Sequence, residues 1–207
     1  MKEFWNERFS HQEYAYGTDP NVFFKESLDT LKPKGKILMP AEGEGRNAVY
    51  AAKTGLEVYA FDISEEGKRK ALELAKKENV TLNYEVGNFP DLQVTQNSYD
   101  VIGLVFAHFP PEIKTQYYKM LMELLKPGGW VILEGFSKEN LELKKANPQI
   151  GGPGQLEMLF SVEEIKTDFP SLEIIQLEKC LVELQEGKFH IGTGSVIRFI
   201  GKKTDKP

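Results

Sequence analysis

Residues 36–53, Lys36-Ile37-Leu38-Met39-Pro40-Ala41-Glu42-Gly43-Glu44-Gly45-Arg46-Asn47-Ala48-Val49-Tyr50-Ala51-Ala52-Lys53, join an apolar run to a helical stretch through a glycine-rich turn. Lys36 to Met39 reads as a short buried strand that ends at Pro40, where a ladder donor is missing, and a helix follows from about Arg46 to Lys53. Small residues at alternate positions 41, 43 and 45 let the backbone turn sharply and bring a ligand close to its amides. A strand, a tight turn and a helix in this order open an α/β fold.

The same alternation extends in both directions. Upstream, Val22, Phe23, Phe24, Leu28 and Leu31 recur at helical spacing until Lys32-Pro33-Lys34-Gly35 breaks the pattern. Downstream, Glu57 to Phe61 is a second strand, and Ser64 opens a helix that runs to about Asn79. Strands then follow over 81–86, 99–106 and 130–136, with a helix over 111–125 started by Pro110-Pro111. After a glycine-rich loop and a helix from Ser161 to Phe169, strands over 172–184 and 195–201 are joined around Glu186-Gly187-Lys188. The expected fold is a doubly wound, seven-stranded, mostly parallel sheet with helices on both faces and an antiparallel hairpin at its C-terminal end.

At 207 residues the chain fits one domain. We divide it into an N-terminal lid segment and helix (1–32), a ligand-binding core (33–136), and a substrate loop with the terminal hairpin (137–207). The net charge of −5 argues against a nucleic-acid partner. No apolar run reaches the roughly 18 residues of a membrane span or forms a signal peptide, so no membrane partner is expected and the compartment is read as cytoplasmic. The lone Cys180 has no partner for a disulfide or a zinc site and reads as a buried structural thiol. No metal site is expected, and the oligomeric state is not encoded in any pattern of the chain.

Asp62 ends the second strand about twenty residues beyond the glycines, the spacing at which a carboxylate accepts hydrogen bonds from ribose hydroxyls. Turn and aspartate together specify an adenosine-containing ligand and leave nicotinamide dinucleotides and S-adenosylmethionine both open. A pyrophosphate needs amides free of nearby anions, yet Glu42 and Glu44 flank Gly43, and two like charges about 4 Å apart repel by roughly 1 to 4 kcal/mol. S-adenosylmethionine brings an ammonium and a sulfonium, which carboxylates welcome, and a carboxylate that Arg46 and the helix N-terminus would take.

On the stretches Ile37 to Asn47, Val58 to Ser64, Gly87-Asn88-Phe89, Tyr99 to Pro111, Leu125 to Gly129, Gly151-Gly152-Pro153 and Glu186 to Arg198, the chain resembles the class I S-adenosylmethionine-dependent methyltransferases. Within them it is similar to the small tellurite-resistance or thiopurine methyltransferase-like group, and the resemblance covers nearly the whole chain. It implies a Rossmann-like fold, S-adenosyl-L-methionine as cofactor and methyl transfer to a small-molecule nucleophile. By the same resemblance Ala41, Gly43 and Gly45 would surround the methionine part, Asp62 would bind ribose, and Ile63 would pack on adenine. Asn88 and Phe89 would frame the adenine, Phe106 and Ala107 would lie beside the sulfonium, and Trp5, Arg8 and Tyr16 would close over the pocket. The family usually has an acidic residue at the position of Met39, a departure for which Glu42 or Glu44 would compensate.

Two histidines are candidate bases, since methyl transfer from a sulfonium needs no protein nucleophile but can use a proton acceptor. His108 directly follows the fourth strand, where the methyl group is expected, and its ordinary pKa near 6.5 suits proton removal. His190 lies in the terminal hairpin and is expected to face the same pocket. Alternative readings are a nonenzymatic protein that binds S-adenosylmethionine or S-adenosylhomocysteine, and an NAD-dependent oxidoreductase.

Overall fold

The computed structural model describes residues 1–89 and 96–204. Along the chain these form α1 (Lys2–Phe9), α2 (Val22–Leu31), β1 (Lys36–Pro40), α3 (Arg46–Lys53), β2 (Glu57–Asp62), α4 (Glu65–Lys77) and β3 (Asn83–Val86). They continue as β4 (Tyr99–Val105), α5 (Pro111–Leu124), β5 (Leu125–Phe136), α6 (Asn140–Ala146), α7 (Val162–Asp168), β6 (Leu172–Glu186) and β7 (His190–Lys203). The strands make one sheet in the order β3-β2-β1-β4-β5-β7-β6. Only β7 runs against the others, pairing antiparallel with both β5 and β6. The direction of winding reverses between β1 and β4, which is where open α/β sheets leave a crevice for ligands.

Side-chain alternation along the strands builds a core on each face of the sheet. Leu38, Ile102, Leu104, Val131 and Leu133 point to one face, where they meet Tyr118 and Leu121 of α5 and Ile165 of α7. Ile37, Met39, Val101 and Ile132 point to the other and meet Phe24 and Leu28 of α2, Ala48 of α3, and Ala71 and Leu74 of α4. Burial on both faces is why the central strands read as continuous apolar runs. Met39 is thereby committed to the core, with its sulfur against Gly103, and does not reach the turn that follows it.

Several elements differ from the sequence reading. Residues 2–9 form a helix although they lack helical apolar spacing; tertiary contacts hold it, since Phe9 is buried over Gly43 and Gly67 and Trp5 stacks on Phe9 at 5.3 Å. Phe4, in contrast, is exposed. β5 starts at Leu125, which pairs with Tyr99 ahead of a register shift, and β7 starts at His190. The 140–146 helix is tied to β7 by Asn140, whose Oδ1 accepts from the Ser195 amide at 3.0 Å. The 147–154 stretch, within the glycine-rich loop, contains a single 3-10 turn over Pro148–Ile150 that buries Ile150. Cys180 is half-buried at the edge of a third apolar cluster. Among the described residues no helix is long and apolar enough to cross a membrane.

Gly45 shows how the turn is built into this packing. It takes φ +87°, and a Cβ there would lie 2.5 Å from Cβ of Ala71 on α4. Gly45→Ala therefore combines a strained backbone with a clash against a neighbouring helix, and it is expected to cost about 2–3 kcal/mol in urea denaturation. Wild-type stability in this variant would contradict the packing described.

Candidate active site

A cavity of about 620 Å³ opens at the carboxyl ends of β1, β2 and β4, a size typical of small-molecule sites. Its floor is the 41–45 turn, in which Ala41 and Gly43 take φ +53° and +62°. β2 wires this turn in place: the Glu42 amide donates to the Phe61 carbonyl at 3.2 Å and the Gly43 amide to Asp62 Oδ2 at 3.0 Å. From β3, the Tyr84 hydroxyl donates to the Gly43 carbonyl at 2.6 Å. At the end of β4, Phe106 is held at φ +51°, so two non-glycine residues in the left-handed region, Ala41 and Phe106, border the same cavity. Strain of this kind costs about 1–3 kcal/mol per residue and persists where the surrounding structure enforces it.

The three carboxylates beside the turn have different electrostatic fates. Glu44 turns toward the N-terminal segment, accepting from the Ala15 amide at 2.8 Å and pairing with the buried Lys70 ammonium at 2.5 Å. The Lys70 pairing removes much of the repulsion between Glu42 and Glu44 expected from the sequence. Glu42 accepts from the Ala48 amide at 2.7 Å and has no cation within ion-pair distance among the described residues; burial pushes its pKa up to about 8. Burial likewise raises Asp62 to about 6, although the Ser64 and Gly43 amides donate to its two oxygens. Two buried acids without counter-ions thus line the cavity, and a cationic ligand would relieve both.

At the opposite end, His190 sits among Tyr16, Phe106 and Phe136, with ring centroids 4.5, 4.6 and 5.2 Å away. Its Nδ1 lies 2.8 Å from Glu186 Oε2, the same oxygen that accepts from Arg46 at 2.9 Å. Arg46 also donates to the Tyr16 carbonyl at 3.3 Å, so its guanidinium, which borders the cavity, is anchored in the protein through two of its five N–H groups. His108 is engaged as well: Nδ1 donates to the Met158 carbonyl at 2.8 Å and Nε2 accepts from the Phe136 amide at 3.2 Å. Burial lowers its pKa to about 4. With both nitrogens occupied and the ring stacked between Phe136 and Phe160, His108 has no site at which to take a proton, which corrects its expected role as a base.

Of the other residues expected at the site, Trp5, Tyr16, Ala41, Glu42, Gly43, Arg46, Asp62, Ile63, Asn88, Phe89, Phe106 and His190 border the cavity. Gly45 and Ala107 do not: Gly45 packs on α4, and Ala107 is buried in the core under α5. The sequence reading missed Glu186, Phe136, Phe189 and Lys144. A Glu-x-x-x-His pair spanning a three-residue turn was the available signal for Glu186. Among the described residues no group of three or more His, Cys, Asp or Glu side chains is placed to hold a metal.

Residues 37–129 match a family model described as a methyltransferase domain. A 2-methyl-6-phytyl-1,4-hydroquinone methyltransferase from Synechocystis sp. is 30% identical over 116 residues, covering 55% of this chain and 36% of that protein. The chain spans little more than a third of the length of the curated relatives it matches. A structure solved in work on the conversion of a disulfide bond into a thioacetal group during echinomycin biosynthesis superimposes with a TM-score of 0.76 at 15% identity, covering 100% of this chain and 94% of that one. TehB from Haemophilus influenzae gives 0.69 at 16% identity, covering 98% and 67%. Further chains of the same fold are described as S-adenosylmethionine-dependent methyltransferases.

The raised pKa of Glu42 has a consequence for stability. Its carboxyl ionises near 4.5 in the unfolded chain and near 8 in the folded one, so its burial costs nothing below pH 4.5 and destabilises progressively as the pH rises toward 8. At pH 7 the penalty is on the order of 3 kcal/mol. Glu42→Gln is expected to flatten this decline in urea denaturation series between pH 5 and 8; a variant as pH-dependent as the wild type would contradict the assignment.

Proposed function

We propose that this chain, which has the class I methyltransferase fold and carries a methyltransferase domain across residues 37–129, binds S-adenosyl-L-methionine and transfers its methyl group to a small-molecule nucleophile. The observation that carries the reading is the pair of buried acids, Glu42 and Asp62, that lack counter-ions at the floor of the cavity. They suit a ligand that brings an ammonium and ribose hydroxyls. A dinucleotide would set its pyrophosphate against the same acids.

In this reading Ala41, Glu42 and Gly43 hold the amino-acid end, and Asp62 accepts from the ribose with the lone pairs its amide donors leave free. Ile63, Asn88 and Phe89 frame the adenine, with Phe89 kept in plane by stacking on Phe61 at 5.5 Å. Trp5 and Tyr16 close the site from α1 and the segment after it, while Gly45 and Ala107 act from behind the wall. When bound, the cofactor supplies an electrophilic methyl group on a sulfonium. The chain's own part is to orient the acceptor against Phe106, to exclude water with the aromatic wall, and to offer His190 as a base.

A small acceptor is supported by the cavity's enclosure beneath α1 and the 151–154 loop, and by the hydroquinone named for the Synechocystis relative. We place the reaction in the cytoplasm. Calorimetric titration is expected to give one-to-one binding of S-adenosylmethionine and S-adenosylhomocysteine and none of NAD. Asp62→Asn is expected to weaken S-adenosylhomocysteine about tenfold or more. Binding of NAD without either sulfur compound would overturn the proposal.

A further inference from the structure

The terminal hairpin brings a carboxylate and an imidazole together at the cavity wall. β6 and β7 are joined by the three-residue turn Gly187-Lys188-Phe189, so Glu186 and His190 lie opposite each other in the ladder. The turn is fixed from outside: Gly187 takes φ +62°, a Cβ there would lie 2.3 Å from the Ala15 carbonyl, and the Lys188 amide donates to that carbonyl at 2.9 Å. Glu186 Oε2 is shared between His190 Nδ1 at 2.8 Å and Arg46 at 2.9 Å, so neither the carboxylate nor the ring is free to turn. His190 Nε2 has no hydrogen-bond partner among the described residues and lies in the cavity wall beside Gly151. A carboxylate on Nδ1 selects the tautomer that carries its proton there and leaves a lone pair on Nε2.

We infer that Glu186 is a positioning residue that holds His190 with Nε2 as a proton acceptor, and that the methyl acceptor is therefore a protic O–H, N–H or S–H nucleophile instead of one that arrives already ionised. This rests on the methyl-transfer reading given above. In the step, the acceptor's proton passes to Nε2 while the electron pair it leaves forms the bond to the methyl carbon. The pair of the broken carbon–sulfur bond stays on sulfur, giving a neutral thioether. The new imidazolium is balanced by Glu186, and its proton later leaves to solvent.

The charged and titratable groups around His190 act in opposite directions. Burial lowers its pKa, Glu186 of β6 raises it, and Arg46 of α3 and Arg8 of α1 lower it again. Tyr16 packs on the ring, and His108 beyond Phe136 is neutral at physiological pH. Burial pulls Glu186 upward, but the hydrogen bond from His190 and the Arg46 guanidinium hold it at about 2, so it remains a carboxylate throughout the useful pH range.

The test is heteronuclear NMR of histidine-labelled protein saturated with S-adenosylhomocysteine, with His190 assigned by a His190→Gln variant. The expected result is an Nδ1-protonated His190 at neutral pH, whose pKa falls by about one unit or more in Glu186→Gln and rises in Arg46→Gln. A general loss of packing would not move the two variants in opposite directions. An Nε2-protonated tautomer, or a pKa that moves the same way in both variants, would overturn the inference. Should Glu186→Gln fail to fold, the wild-type tautomer and the Arg46→Gln shift decide it. If S-adenosylhomocysteine does not bind while the expected tautomer is present, the methyl-transfer reading and the acceptor class fall, and the pairing of Glu186 with His190 stands.

Discussion

The buried ammonium of Lys70 organises the site more than any other single group. It projects from α4, donates to the carbonyls of His11 and Glu13 at 2.9 and 2.7 Å, and pairs with Glu44 at 2.5 Å. One cation thereby fastens the N-terminal segment, the glycine-rich turn and α4 to one another. Removing either partner would strand a buried charge, which typically costs about 3–5 kcal/mol, so the arrangement is strongly enforced. Two consequences follow for the ligand. α1 is held over the turn, where Phe9 covers Gly43, and Glu44 is paired with Lys70, so the cavity-floor acids without a counter-ion among the described residues are Glu42 and Asp62.

The opposite end of the cavity depends on a second shared contact, the Glu186 oxygen between Arg46 and His190. Arg46 begins the helix that follows the turn, so the hairpin at the end of the chain is coupled to the glycine-rich turn near its start. The two halves of the site are therefore positioned by buried ion pairs linking residues far apart in sequence. Acid without a counter-ion collects at one end and a partnered imidazole with a free nitrogen at the other, matching a cationic cofactor beside a protic acceptor.

Much of the fold was legible because burial on both faces leaves a pattern in the chain. Ile37, Leu38 and Met39 are all apolar since alternate side chains enter opposite cores, and the helices between strands carry apolar stripes. α1 was not legible: it is a mostly polar, eight-residue helix held through one buried ring. The turn and Asp62 could be located from spacing because both lie on consecutive elements. The roles of the two histidines could not, since His108 is kept neutral by burial and has its Nδ1 taken by the carbonyl of Met158, fifty residues away, and His190 is set up by hairpin register. Gly45 was read as a ligand-facing glycine, and its small size instead serves the close approach of Ala71.

The central claim is that the floor of this cavity is an acidic pocket prepared for a cationic adenosyl ligand. Binding of such a ligand must favour the ionised forms of Glu42 and Asp62, and so must expel protons held there by burial. The direct measurement is calorimetric titration with S-adenosylmethionine at pH 7 in two buffers of different ionisation enthalpy, which counts the protons exchanged on binding. Net proton release that disappears in Glu42→Gln is the result predicted here. Binding with no proton release, or with release unchanged in that variant, would contradict it.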